Sequence, residues 1–311
     1  MLMNTSSQQG HADATIANFF WEGSALGPLE TGCIASFLKS GFRVCVYSYR
    51  NLSVPLGVKL CDASDILPEV NLTKYCQAGK KGNLAAFSDA FRYSLLERRG
   101  GWWFDADMLC LENSGKFEAL LSLKRPAFCA GFEDGEHING AALYAADSEV
   151  LRALMSNLGA CGFTFDWGEI GPKLLTRVVA LLDLRRVVEP PGTFYPIHFR
   201  DFTNLYDPAQ REWCEGKVAG ALAVHLWNEV RSRLAVPATL LPPAGSFLHA
   251  QLTSACAELK SVPTLNLETF HRLARYSMLE AQVERLLDFE KRVKGSTPYR
   301  FRQQLLRITR W

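Results

Sequence analysis

Ser88-Asp-Ala-Phe-Arg-Tyr-Ser-Leu-Leu-Glu-Arg-Arg-Gly-Gly-Trp-Trp-Phe-Asp-Ala-Asp107 is the stretch that decides how this chain is read. Just upstream and within it, Leu84, Phe87, Phe91 and Leu95 recur at helical spacing, and Gly100-Gly101 stops the pattern, so a helix is predicted over 84–99. Asp89 and Arg92 stand three apart on that helix and are therefore neighbours, on a face distinct from the one carrying Phe87 and Phe91. Trp102 to Leu111 then reads as a strand interrupted by two acids. Strand side chains alternate, so Asp105 and Asp107 are predicted to project to the same side. Two carboxylates this close repel unless a cation sits between them. Oxygen ligands with no adjacent His or Cys favour Mg²⁺ or Mn²⁺, ions that usually complete their shell with substrate phosphates, which points to a nucleotide diphosphate. The plain alternatives are two solvated acids at a strand end and an exposed i, i+3 ion pair on the helix, the latter worth about 0.3 to 0.5 kcal/mol.

Outward from that stretch, a strand is expected over Ile16 to Trp21. A helix opens at Pro28 and stops at Gly41, and strands follow at Arg43–Tyr49 and Val58–Cys61. Beyond it come a strand at Phe128–Phe132, a loop at Glu133–Gly140, helices at Ser148–Leu158 and Lys173–Leu182, and a strand-like run at Ala221–Trp227. After Gly245 the remainder reads as mostly helical. Strand, helix, strand at the start suggests a nucleotide-binding α/β half.

The order Asn83, Ser88-Asp89, Arg92, Gly100-Gly101, Trp102-Trp103, Asp105 and Asp107 resembles the family 32 glycosyltransferases with a sugar-binding DXD motif, whose core is similar to the glucosylating domains of large clostridial toxins. The resemblance implies an α/β chain with the GT-A-type nucleotide-diphospho-sugar transferase fold, a mixed central sheet and a helical C-terminal tail. It implies a retaining, metal-dependent transfer from a nucleotide-sugar donor, with a UDP-sugar expected, to a glycan, lipid-linked or protein acceptor. The catalytic set carried over is Asp89, Arg92, Asp105, Asp107 and Asn139. Mn²⁺ or Mg²⁺ would be held by Asp107, Asp105 and His225, and the donor would be contacted by Trp21, Asn83, Ser88, Trp103, Trp227 and Asn228. Phe20-Trp21-Glu22-Gly23 looks like the family's first strand, with an aromatic to stack on the base. The loop Glu136 to Gly140 resembles one in which an asparagine faces the donor. Gly168 to Pro172, with Asp166 and Glu169 nearby, resembles a turn lining the acceptor side. His137 reads as a surface histidine. The run before His225-Leu-Trp-Asn228 places His225 at the carboxyl end of a strand, where a structural histidine is the alternative reading.

Composition is that of an ordinary soluble globular protein. The 311 residues carry 34 Lys+Arg against 32 Asp+Glu, a net charge of +2, which removes the basic field that nonspecific nucleic-acid binding needs. With 48% hydrophobic residues the chain is not of the disordered class. Nine cysteines, the closest pair twelve apart, form no CxxC zinc or redox spacing and read as reduced thiols in a cytosolic compartment. The first seventeen residues lack the pattern of a signal peptide, and no run is long enough to span a bilayer. The domain expectation is a catalytic unit over 14–260 and a helical basic extension over 261–311. From Lys291 to Trp311 there are seven Lys/Arg and no Asp/Glu, interleaved with apolar residues. Such a tail either lies on an anionic membrane, giving a cytoplasmic protein peripheral contact at the inner face, or packs as a solvated basic helix. Two rival functions remain at this point. One is a haloacid-dehalogenase-like phosphatase using Asp105 as nucleophile, against which Leu109 and the Gly-Gly before the motif speak. The other is a non-catalytic sugar-nucleotide or glycan-binding module.

Overall fold

The structure, a computed structural model, describes residues 13–77, 79–124, 127–160, 162–166 and 168–296. In chain order its strands are β1 (Ile16–Phe20), β2 (Arg43–Ser48), β3 (Lys59–Asp62), β4 (Cys76–Gln77), β5 (Lys80–Lys81), β6 (Trp102–Phe104), β7 (Met108–Cys110), β8 (Phe128–Phe132), β9 (Ile138–Ala145), β10 (Thr164–Phe165) and β11 (Ala223–His225). The helices are α1 (Pro28–Lys39), α2 (Leu84–Arg99), α3 (Ser114–Ser122), α4 (Ser148–Ala160), α5 (Pro172–Leu181), α6 (Pro191–Phe194), α7 (Phe202–Tyr206), α8 (Arg211–Lys217), α9 (Asn228–Arg233), α10 (Phe247–Ala255) and α11 (Leu267–Gly295).

A mixed six-stranded sheet in the order β3-β2-β1-β6-β9-β8 forms the centre, as expected for the α/β class. Its β3, β2, β1 and β6 run parallel, whereas β9 is antiparallel to both β6 and β8. Alternation across the pleat separates two hydrophobic cores. Phe19, Trp102 and Phe104 enter the layer shared with α1, α10 and the helices from α6 to α8, while Phe20 and Trp103 enter the layer formed with α2, α4 and α5. Each fully buried aromatic here contributes about 2 kcal/mol or more through apolar burial. Stacked Trp102 and Phe104, with centroids 5.4 Å apart, make β6 a rigid central rod. What leaves its carboxyl end is therefore held firmly.

Two expectations are corrected by the topology. Glu133–Gly140 is a loop only as far as His137, because β9 begins at Ile138 and carries Asn139 and Gly140 into the sheet. The Trp102–Leu111 strand is in fact two strands: β6 stays in the central sheet and β7 pairs instead with β11. The break lies at the two acids, whose half-buried turn is tied to β9 by the Asp105 N–H donating to the Ala141 carbonyl at 2.8 Å and to the segment after β11 by the Leu226 N–H donating to the Asp107 carbonyl at 3.0 Å.

At the carboxyl end of the described chain, Leu265 and Phe270 join the main core, with Phe270 stacked on Tyr206 at 4.8 Å. Farther along α11, Met278, Leu279, Leu286 and Phe289 are exposed. Most of the basic tail, 297–311, lies outside the described residues, as does Cys161; the other eight cysteines are free. No described helix is long and apolar enough to cross a membrane.

Candidate active site

Asp105 and Asp107 occupy the turn between β6 and β7, and His225 sits opposite Met108 in the β11 register. One ligand atom from each of the three lies within 4.8 Å of the others. The carboxylates do converge, but the turn brings them together and not the two-residue strand repeat.

On one side of the pair stands α2. Asn83 caps it, its Oδ1 accepting from the Ala86 N–H at 2.9 Å, which satisfies a donor the first turn would leave orphaned. Asp89 and Arg92 then face inward from the middle of the helix. The Arg92 guanidinium donates through Nη1 to Asp89 Oδ1 at 2.6 Å and through Nη2 to Asp105 Oδ1 at 2.9 Å, with only 5% of its side chain exposed. The exposed-helix reading of this pair is therefore replaced by a buried bridge. Trp103 donates its indole N–H to the same Asp105 oxygen at 2.7 Å, and the guanidinium lies 5.2 Å from its ring centroid. Burial pushes the Asp89 carboxyl up to about 6 against the pull of Arg92. Burial also opposes the Arg92 charge, but Asp105 and Asp89 outweigh it and hold the guanidinium protonated. Backbone fits closely around this bridge: a Cβ at Gly140 would stand 2.4 Å from Arg92 Nη1, and one at Gly171 would stand 2.3 Å from Asp89 Oδ2.

On the other side stands the segment after β11. His225 Nε2 is 3.2 Å from Asp107 Oδ2, and the Asn228 backbone N–H donates to that oxygen at 2.7 Å. Burial would raise the Asp107 carboxyl, but the imidazole and the Asn228 N–H outweigh it and hold the group below the usual range. The same contact raises His225 against the opposing effect of burial. Trp227 turns the chain through a left-handed conformation, φ 54°, and its indole N–H donates to the Ile197 carbonyl at 2.8 Å. Its ring lies 4.2 Å from that of His225.

A cavity of about 550 Å³ opens over both sides, bordered by Ser88, Asp89, Arg92, Asp105, Asp107, Asn139, His225, Trp227 and Asn228 among others. Asn139 donates to Glu133 Oε2 at 2.8 Å and accepts from the Ala141 N–H at 2.8 Å, which fixes its amide at the rim. Beside it a second cleft is lined by Trp21, Ser88, Trp103, Asp105 and Asp107. Trp21 is partly buried there and donates to the Ala25 carbonyl at 2.9 Å. Of the residues assigned above to catalysis, metal or donor, all but Asn83 border one of these spaces; Asn83 serves as the α2 cap. Trp103 is a core residue reaching the site through its N–H. His137 is exposed and paired with Asp134 at 3.0 Å. Pro172 lines the cavity, whereas Asp166 and Glu169 bond to each other, the Asp166 N–H donating to Glu169 Oε2 at 2.7 Å.

Sequence reasoning missed Glu133 and Tyr195. The Tyr195 hydroxyl donates to the Asn139 carbonyl at 3.0 Å and accepts from the Ala142 N–H at 3.2 Å, bracing β9. Neither residue belongs to a motif; only the register of β9 reveals them.

The donor set suits a divalent ion. Two carboxylates and an imidazole converge, and both His225 Nδ1 and Asn228 Oδ1 are buried without a partner among the described residues. Two carboxylates and one imidazole form a donor set for a divalent cation.

Residues 146–241 match the family described as Alpha 1,4-glycosyltransferase conserved region. This stretch is similar to a glycosyltransferase conserved region. It includes His225, Trp227 and Asn228, and the Asp105–Asp107 turn lies upstream of it. Over 158 residues, the chain is 28% identical to lactosylceramide 4-alpha-galactosyltransferase of Homo sapiens, covering 47% of this chain and 42% of that protein. The Mus musculus protein of the same name is 29% identical over the same length, with the same coverage. The chain therefore matches less than half the length of these relatives. Among solved structures, the PaToxG glycosyltransferase aligns at a TM-score of 0.35 and 10% identity, covering 79% of this chain and 86% of that one. The apo WbbM bifunctional glycosyltransferase aligns at 0.43 and 11%, covering 82% and 51%.

Proposed function

We propose that the chain transfers a hexose from a UDP-sugar to a hydroxyl of a glycan, with retention of the anomeric configuration and with Mn²⁺ or Mg²⁺ bound by Asp105, Asp107 and His225. The observation that carries this reading is the convergence of those three groups beside the Arg92-bridged acids in one cavity of a chain with a glycosyltransferase region. When bound, the ion would supply positive charge at the donor pyrophosphate and so favour its departure. Asp89 accepts hydroxyls of the donor sugar. Arg92 has both terminal nitrogens committed to carboxylates, so its part is to orient Asp89 and Asp105 rather than to reach outward. Asn139 and Glu133 border the open side, where the acceptor hydroxyl enters, and that hydroxyl gives its proton to a phosphate oxygen of the departing donor. Trp21 offers a ring for the base in the second cleft.

The relatives' printed name, 4-alpha-galactosyltransferase, supports retention: with an α-linked UDP-sugar as the proposed donor, an α-linked product keeps the donor's configuration. The same names favour a glycan on a lipid as acceptor, with free glycans and glycoproteins in the same chemical class. A cytoplasmic site of action, peripheral to an anionic membrane, belongs to the same proposal and rests on the scattered cysteines and the basic tail.

The test is UDP release from a panel of UDP-hexoses, with and without Mn²⁺. Turnover that needs the ion and falls about a thousandfold in Asp107→Ala, ~4 kcal/mol on the barrier, is expected. Donor binding without release would instead mark a binding module. Liberation of inorganic phosphate, with Asp105→Asn the most damaged variant, would mark a phosphatase.

A further inference from the structure

One buried ion pair borders the site without lining it. Glu30, in the first turn of α1, and Arg231, in α9, meet at 2.8 Å with 1% and 8% of their side chains exposed. The same Glu30 oxygen accepts from Asn228 Nδ2 at 3.2 Å. A single carboxylate oxygen thus takes donors from both Asn228 and Arg231, three residues apart on one face of α9. Its other oxygen is walled in: a Cβ at Gly27 would stand 2.5 Å from Glu30 Oε2 and 2.8 Å from the Ala238 carbonyl. Asn228 is also the residue whose backbone N–H reaches Asp107 at 2.7 Å, directly after the left-handed Trp227.

A helix as short as α9 has little rigidity of its own. Its height against the β6–β7 turn must come from tertiary contacts, and within it Arg231 is the buried residue. Building an ion pair at this depth is costly in desolvation, and the result is often no more stable than apolar packing would be. A gain in position explains its presence better than a gain in stability.

We infer that Glu30 and Arg231 are positioning residues for the metal ligand Asp107, fixing the Asn228 N–H against its carboxylate from a side of the fold opposite to Arg92. The inference rests on the metal-dependent reading above. Outer partners of this kind typically alter metal affinity ten- to hundredfold when removed.

Mn²⁺ titration by calorimetry, paired with thermal melting, tests it on four proteins: wild type, Glu30→Gln, the double variant Glu30→Met/Arg231→Met, and Glu189→Gln. The last breaks another buried pair, Lys124–Glu189, whose members do not border the cavity. The double variant keeps apolar packing, so it remains folded if Glu30→Gln does not. The expected result is Mn²⁺ binding weakened about tenfold in both Glu30 variants, with the double variant melting near wild type, while Glu189→Gln melts lower at unchanged Mn²⁺ affinity. The inference is overturned if the double variant binds Mn²⁺ within twofold of wild type. If wild type itself takes up no Mn²⁺, the metal-dependent function fails first, and this assignment with it.

Discussion

The two flanks of the Asp105–Asp107 turn are built differently. The α2 flank brings its own cation: Arg92 binds one acid from its helix and one from the turn, and sixteen residues of regular helix hold it there. The β11 flank brings an imidazole, a backbone N–H and a six-residue helix. Positive charge is permanent on the first flank and borrowed on the second. Among the described cavity residues, five acids (Asp89, Asp105, Asp107, Glu133, Glu229) face two arginines (Arg92, Arg233), 2 − 5 = −3, so the space itself still calls for added positive charge.

If this division is right, breaking the first flank damages the fold and breaking the second damages metal binding. The largest effect is expected from Arg92→Met, which leaves Asp89 and Asp105 without their shared cation. A loss of about 3 to 5 kcal/mol, a melting temperature lower by roughly 10 °C, should be seen by calorimetry or circular dichroism, and Arg92→Lys should recover little because one ammonium cannot reproduce the fork. His225→Ala should change the melt far less and weaken Mn²⁺ binding about ten- to hundredfold in the same titration. An equal loss of stability in both variants would erase the distinction.

The smallest effect concerns pH. Asp89 titrates near 6 in the folded chain, above its ordinary 3.8, because of burial first and Asp105 among its neighbours, with Arg92 opposing. The folded state therefore binds this proton more tightly than the unfolded one, and the group's contribution to stability improves as pH falls from about 6 toward 4. On the proposed function activity runs the other way, since the ionised carboxylate holds Arg92 more strongly and is the better acceptor for a sugar hydroxyl. Turnover should fall several-fold below pH 6 in wild type. In Asp89→Asn that acid limb should be missing from the profile, at a lower plateau. A limb retained by the variant would assign it to another group.

Much of this was legible beforehand where local chemistry decides conformation. The 84–99 helix ends where the glycines say it should, and Phe128–Phe132 is a strand as its apolar run suggests. Strand alternation accounts for the convergence of the DxD pair only incompletely. Two-residue alternation places side chains correctly only while the strand lasts, and here the chain leaves one sheet for another at the acids themselves. Asn139 stands out in the sequence, but its strand reads as loop because Ile138-Asn-Gly-Ala-Ala has small residues where a strand usually signals with branched ones. Glu30 and Arg231 gave no signal at all. They are 201 positions apart, and their pairing exists only once α1 and α9 are folded side by side.

The close walls at Gly140 and Gly171 constrain the chain's descendants. Neither position contributes a side chain, yet a single methyl at either would collide with the Asp89–Arg92 bridge. In a saturation scan both should look as intolerant as the charged residues they touch. Variation that retunes what the cavity admits is left to freer positions on its rim, such as the exposed Glu229, where an alteration need not dismantle what lies beneath.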